Sequence, residues 1–171
     1  YAMNIDKRGR SKLRFRTNAN FRKVSKGYLQ GDIDIADLTV SNKDSTMNIG
    51  NINLKSFSSD DRYRMRFRSQ FANANYTGTA PVTRFAKDLI SLTLMRELPA
   101  LFKDIDSTET GNRYSLDLHT EDTGKLLAFL MPGAYIHKGT DVHLDIDAEG
   151  DLSTSLSSQR IAMRANNFQN I

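Results

Sequence analysis

The chain has 171 residues and a mass of 19.3 kDa, with 39% hydrophobic and 26% charged residues, no Cys, no Trp and three Pro. That length supports one domain with a core, or one stretch of a larger repetitive fold, and the missing Cys excludes disulfide frameworks, Cys-ligated zinc and thiol catalysis. The formal charge of +4 conceals a gradient: residues 1–30 hold nine cations and one acid, whereas residues 111–171 hold five cations and eight acids.

The longest apolar run is the six residues 126–131, far below the roughly 20 that a bilayer-crossing helix needs. The first ten residues carry Asp6, Lys7, Arg8 and Arg10 with no apolar stretch behind them, so no signal peptide is in view. A chain that opens on Tyr1 is expected to be a slice of a longer one.

The dominant period is two. Residues 12–16 alternate, with Leu13 and Phe15 on one side and Lys12, Arg14 and Arg16 on the other, in line with Arg8 and Arg10 before them. Residues 30–35 alternate through Ile33 and Ile35, and Leu38 and Val40 resume out of phase after Ala36, which predicts a bulge. Met47 and Ile49 give way to Ile52 and Leu54 across Gly50 and Asn51, which predicts a second slip. Residues 62–68 place Arg62, Arg64, Arg66 and Arg68 on one face of a strand and Tyr63, Met65 and Phe67 on the other. A further strand is expected at 72–77.

Residues 82–105 change period. Phe85, Ala86, Leu89, Leu92, Leu98, Leu101, Phe102 and Ile105 recur at three and four, after Pro81 in a first-turn position, which predicts an amphipathic helix bent or split before Pro99. Strand alternation returns in Tyr114, Leu116 and Leu118. A short helix is expected over 123–131, ended by Pro132 and Gly133. Strands then follow at 142–146, with Leu144 and Ile146 inward, at 152–156 and at 160–165. Polar turns are read at 41–44, 58–61, 110–112 and 149–151. The strand at Arg62-Tyr63 recurs at Arg113-Tyr114, an offset of 51 residues, as a weak internal repeat.

Little in this pattern carries reaction chemistry. His119, His137 and His143 lack metal-ligand spacing, and His119 and His143 fall on the polar sides of their strands, where exposed imidazoles are expected. Asp145, Asp147, Glu149 and Asp151 alternate, but without calcium-loop turn chemistry they read as the solvated side of a strand and its turn. No nucleophile elbow, phosphate loop or dinucleotide fingerprint occurs. The reading is therefore a non-enzyme without cofactor or metal. The basic rows could follow a phosphate backbone, yet Phe15 and Tyr63 lie opposite the cations, away from any stacking position. No nucleic-acid partner is expected; the cations read as a solvated face, or as one touching anionic lipid headgroups.

The fold class that follows is mainly β with one or two helices (α+β), built on a long antiparallel, curved sheet with one apolar face. One helix of about 25 Å covers only part of such a sheet. The residues leave open an apolar groove or a closed sandwich, the latter suited to an envelope interaction or adhesin domain.

Residues 48–54 (Asn-Ile-Gly-Asn-Ile-Asn-Leu), the pair running from Ser69 through Phe71 and Tyr76 to Gly78, the stretch 98–102 (Leu-Pro-Ala-Leu-Phe), and Pro132-Gly133 leading to Gly139-Thr140 resemble the TamB family of the AsmA-like superfamily in its Bacteroidetes form. The resemblance covers most of residues 28–171. It implies a half-pipe with an open apolar groove, in the periplasm of a Gram-negative bacterium, within a parent chain anchored in the inner membrane. It further implies phospholipid transport between membranes and assembly of outer-membrane and secreted proteins. The partners implied are phospholipid acyl chains and an outer-membrane assembly-factor barrel, with membrane contact through parts outside this chain. The whole of 1–171 would be one groove module. Its lining maps onto Leu13, Phe15, Ile33, Ile35, Met65, Phe67, Leu116, Leu118, Leu144 and Ile146.

Overall fold

The alternating segments pair, each with the next, into a single meander. The structure, a computed structural model, describes residues 12–24, 28–41, 46–59, 62–97, 111–163 and 166–171. In chain order its elements are β1 (Lys12–Val24), β2 (Tyr28–Ser41), β3 (Thr46–Ser59), β4 (Arg62–Ser69), β5 (Ala72–Gly78), α1 (Val82–Glu97), β6 (Tyr114–Thr120), α2 (Gly124–Leu130), β7 (Ala134–Ile136), β8 (Asp141–Ile146), β9 (Leu152–Ser157), β10 (Arg160–Met163) and β11 (Asn166–Gln169). The order β1-β2-β3-β4-β5-β6-β8-β9 makes one antiparallel sheet of eight strands, not closed into a barrel, with β1 and β9 at its edges. The order β11-β10-β7 makes a second, small sheet.

The two phase slips expected in β2 and β3 meet at one place. The β2–β3 register shifts on both sides of the pair Leu38 and Gly50. There Asp37 has φ 54° and Gly50 φ 84°, a left-handed backbone that glycine adopts without steric penalty. The Asp37 N–H donates to Asn51 Oδ1 at 3.1 Å, and the Gly50 N–H donates to Asn48 Oδ1 at 2.8 Å. A β-carbon at Gly50 would also stand 2.5 Å from the Gln70 side chain. One irregularity thus spans both strands, and Leu38, Val40, Met47 and Ile49 keep to the apolar face on its far side.

α1 begins where Pro81 leaves its carbonyl to the N–H groups of Arg84 and Phe85, at 2.8 and 3.1 Å. It reaches Glu97; the expected continuation to 105 lies outside the described residues, as do Arg8 and Arg10. α2 occupies seven of the nine residues expected to be helical, with Thr123 and Met131 flanking it and Pro132 preventing its continuation. Of the small sheet only its central strand β10, which falls in the strand expected at 160–165, was legible from periodicity. β7 is three residues long, and β11 (Asn-Asn-Phe-Gln) shows no alternation; both are fixed by pairing with β10, as in Ile161 with Ile136 and Ile161 with Phe168.

Candidate functional site

Strand register carries side chains across the sheet in rows. Ala19, Ile33, Leu54, Phe67, Ala74, Leu118, Val142 and Leu156 are successive partners from β1 to β9. The next row on the same face runs from Phe21 and Gly31 through Ser56 to Met65, Tyr76, Leu116 and Leu144. A third joins Tyr63, Gly78, Tyr114, Ile146 and Leu152. Leu13 and Phe15 alternate with Ala19 along β1, and Ile35 with Ile33 along β2, so all ten expected lining residues belong to one face.

That face is sealed at one end. Phe85 of α1 packs on Tyr76 and Tyr114, with ring centroids 5.5 and 5.4 Å away, and the two tyrosine rings lie 6.4 Å apart. The Tyr114 hydroxyl donates to Asp88 Oδ2 at 2.5 Å, and the Tyr76 hydroxyl donates to the Ala80 carbonyl. Arg84 Nε stands 2.8 Å from Asp88 Oδ1, a charge pairing in which the N–H is not aimed at the oxygen. Burial pushes both tyrosine hydroxyls well above the usual tyrosine range. The Tyr114 and Asp88 charges add to the effect on Tyr76, and the hydrogen bond with Asp88 adds to it on Tyr114. This cluster is the main core, with Ile146 inside it at 3% exposure and Met65, Leu116 and Leu144 packed against its rim. Periodicity placed Phe85, Tyr114 and Ile146 on the apolar sides of their own elements but not together, because they meet with Tyr76 and Asp88 only when α1 folds onto β5 and β6.

Away from α1 the face is only partly covered, and Val40 of β2, the partner of Leu13, is buried at 5% exposure. Seven interstrand steps of about 4.8 Å put β1 and β9 roughly 34 Å apart, whereas a helix is about 10 Å across. α2 lies against β3 and β7. Ile33, Ile35, Phe67 and Leu118 are half-buried. At the β1 edge Leu13 is 63% exposed, Phe15 48% and Phe21 45%. The ten expected lining residues thus divide into a sealed member (Ile146), a rim (Met65, Leu116, Leu144), an open middle and a bare edge (Leu13, Phe15).

The other face is polar and holds the expected cations in two separate rows. Lys12, Arg14 and Arg16 stand on β1, and Arg62, Arg64, Arg66 and Arg68 on β4, with Asp32, Asp34, Asn53, Lys55 and Phe57 on the strands between. Arg16 is ion-paired with Asp37. Arg68 donates to the Phe67 and Ala74 carbonyls and to Asn75 Oδ1. Phe57, opposite Arg64, is an exposed aromatic on the cation side that the sequence reading missed; its odd number beside Lys55 marks it as outward-facing.

Further along this face the charge reverses. Asp117 pairs with His143, and His119 with Asp141, in a checkerboard across β6 and β8. His143 Nδ1 lies 2.7 Å from Asp117 and Nε2 2.6 Å from Asp145, so both ring nitrogens meet acceptors and the imidazolium is favoured. The bond to Asp117 and then that to Asp145 raise its pKa above the usual histidine value. His119 Nδ1 lies 2.6 Å from Asp141. The histidines expected to be merely solvated are half-exposed and carboxylate-bound. With Arg68, Asn73 and Asn75 they line an open depression of about 400 Å³ on the polar face. Among the described residues no three His, Asp or Glu side chains are grouped to hold a metal ion. Asp147 instead accepts the backbone N–H groups of Glu149 and Asp151, at 3.0 and 2.9 Å, and so shapes the β8–β9 turn.

Comparison with protein-family models, with curated proteins and with solved structures finds no match to this chain.

Proposed function

We propose that the chain is a lipid-handling module, a non-enzyme whose apolar sheet face shields phospholipid acyl chains as they pass between membranes. The observation that carries this reading is an apolar face eight strands across, capped by α1 at β5 and β6 and bare at β1, where Leu13, Phe15 and Phe21 are exposed. An acyl chain of about 16 carbons exposes CH₂ groups worth about 0.8 kcal/mol each, so an unaided crossing costs on the order of 12 kcal/mol. A trough removes much of that barrier. The aliphatic middle, with few polar groups converging on it, suits sliding better than docking at one fixed site.

The resemblance to TamB proteins supports placing the module in the periplasm of a Gram-negative bacterium, in a parent anchored in the inner membrane and engaging an outer-membrane assembly barrel. A sealed adhesin-like sandwich is less favoured, since it needs a second layer over Leu13, Phe15 and Phe21. Native mass spectrometry of protein purified without detergent tests the reading. Co-purifying phospholipid, reduced by Phe67→Asp and Leu118→Asp in a chain that remains folded, is the expected result. Absence of any bound lipid would overturn it.

A further inference from the structure

We propose that β1 is the edge over which lipid enters the trough, and that the lipid is an anionic phospholipid presented in a membrane surface. The inference rests on the lipid-handling reading above and goes further by naming the entry edge and the headgroup charge.

Every residue over 12–22 is exposed. The strand is one residue thick, with Leu13 and Phe15 on its trough side and Lys12 and Arg14 on its polar side. A phospholipid astride this edge meets cations with its phosphate and apolar side chains with its tails. The local charge is not cancelled from β2, because Lys12 faces Ser41 and Arg14 faces Thr39. The acids of β2 lie further along: Asp37 is paired with Arg16, and Asp34 and Asp32 stand opposite Asn18 and Asn20.

The opposite edge lacks this chemistry. β9 presents Ser153, Ser155 and Ser157 on its polar side, next to Asp145, His143 and Asp141 of β8. An anionic surface is attracted to the β1 side of the molecule and repelled from the β9 side. The two kinds of exposed group also separate a membrane from other anions. A nucleic acid uses the cations and leaves Leu13 and Phe15 bare, whereas a lipid surface engages both.

The test is co-sedimentation of the whole chain with phosphatidylcholine vesicles, with and without phosphatidylglycerol, at low and high salt. Binding is expected only to the anionic vesicles, and salt should weaken it. Each cation near an anionic surface contributes about fivefold, so Lys12→Gln with Arg14→Gln should weaken binding about 25-fold. Phe15→Ser with Phe21→Ser should also weaken it, whereas Arg64→Gln with Arg66→Gln on β4 should leave it unchanged. Equal binding to neutral vesicles would overturn the proposal, as would indifference to Lys12→Gln/Arg14→Gln or an equal loss from the β4 variant. So would a shift from dimer to monomer in the β1 variants without vesicles, which would assign the edge to a second copy. A chain that co-purifies with lipid yet fails these tests loses only the entry edge; one that holds no lipid loses the trough reading itself.

Discussion

Replacing Tyr114 by Phe removes one oxygen and leaves the ring between Tyr76 and Phe85. The lost hydroxyl donates to Asp88 at 2.5 Å, and Asp88 is 4% exposed, so water has little access to replace it. Hydrogen bonds to charged groups contribute about 1.5–3 kcal/mol, and a buried acceptor left without its donor costs a similar amount. Arg84, 2.8 Å from the other carboxylate oxygen, still neutralises the charge and limits the loss. The expected destabilisation is about 2–3 kcal/mol of the roughly 5–15 kcal/mol typical of a domain. Urea denaturation followed by circular dichroism should show a lower midpoint with an unchanged slope. The same substitution alters the alkaline limb. Both tyrosines hold their protons more tightly folded than unfolded, so stability is full below pH about 10 and falls as pH rises toward the raised folded values. Each contributes a slope of about 1.4 kcal/mol per pH unit in that window, and Tyr114→Phe should halve the combined slope. A loss below about 0.5 kcal/mol at neutral pH, or an unchanged alkaline slope, would refute the buried Tyr114–Asp88 bond as the tie between α1 and the sheet.

Two further substitutions test separate parts of the fold. A β-carbon at Gly78 would stand 2.4 Å from the Tyr76 hydroxyl oxygen and 2.9 Å from the Tyr114 ring, so Gly78→Ala should cost about 1–3 kcal/mol; Gly124→Ala, on exposed helix with only Asp122 near at 3.6 Å, should not destabilise. An equal melting temperature for both variants would contradict the close approach at Gly78. His143 faces Asp117 and Asp145, with Ser155 directly opposite on β9 and Asn75 beyond Asp117. Its folded pKa is raised, so its contribution is full below pH about 6.5 and is lost as pH rises through the folded value. His143→Gln should flatten that dependence, and an imidazole NMR titration with a midpoint at or below about 6.5 would show that the carboxylates do not hold the ring protonated.

The sheet was legible because each face of a strand samples one environment. Arg62 to Arg68 could not alternate with Tyr63, Met65 and Phe67 in a helix without scattering charge around it, and the structure pairs them in β4 as a one-sided strand. Even the phase slips at Ala36 and Gly50 were readable, since a slip preserves the face only if the backbone absorbs a residue. Their meeting across Leu38 and Gly50 was not, because register is a property of two strands. The same reason hid the core. Tyr76, Tyr114, Phe85 and Asp88 lie between positions 76 and 114 and come together only when α1 folds back. Alternation grouped the ten expected lining residues on one face, but it could not separate Ile146, sealed under α1, from Leu13, which stands bare. Coverage depends on where a helix lands.

Stability and the proposed working surface therefore occupy different ends of one face. The tyrosine cluster holds α1 to β5, β6 and β8, and none of its described members lies on β1. Over 12–22 the first strand buries no side chain and is held by its backbone ladder to β2. Covering the roughly half of Leu13, Phe15 and Phe21 that is still exposed would release about 0.8–1.5 kcal/mol each, together a sizeable share of the roughly 5–15 kcal/mol stability typical of a domain. A second protein layer would capture that energy once, at folding, and close the face. A mobile amphiphile can capture it repeatedly, because the anchoring cluster at the far end keeps the sheet folded when the cover leaves. On the proposed reading, this separation lets the same alternating pattern serve as core beneath α1 and as a carrying surface at β1.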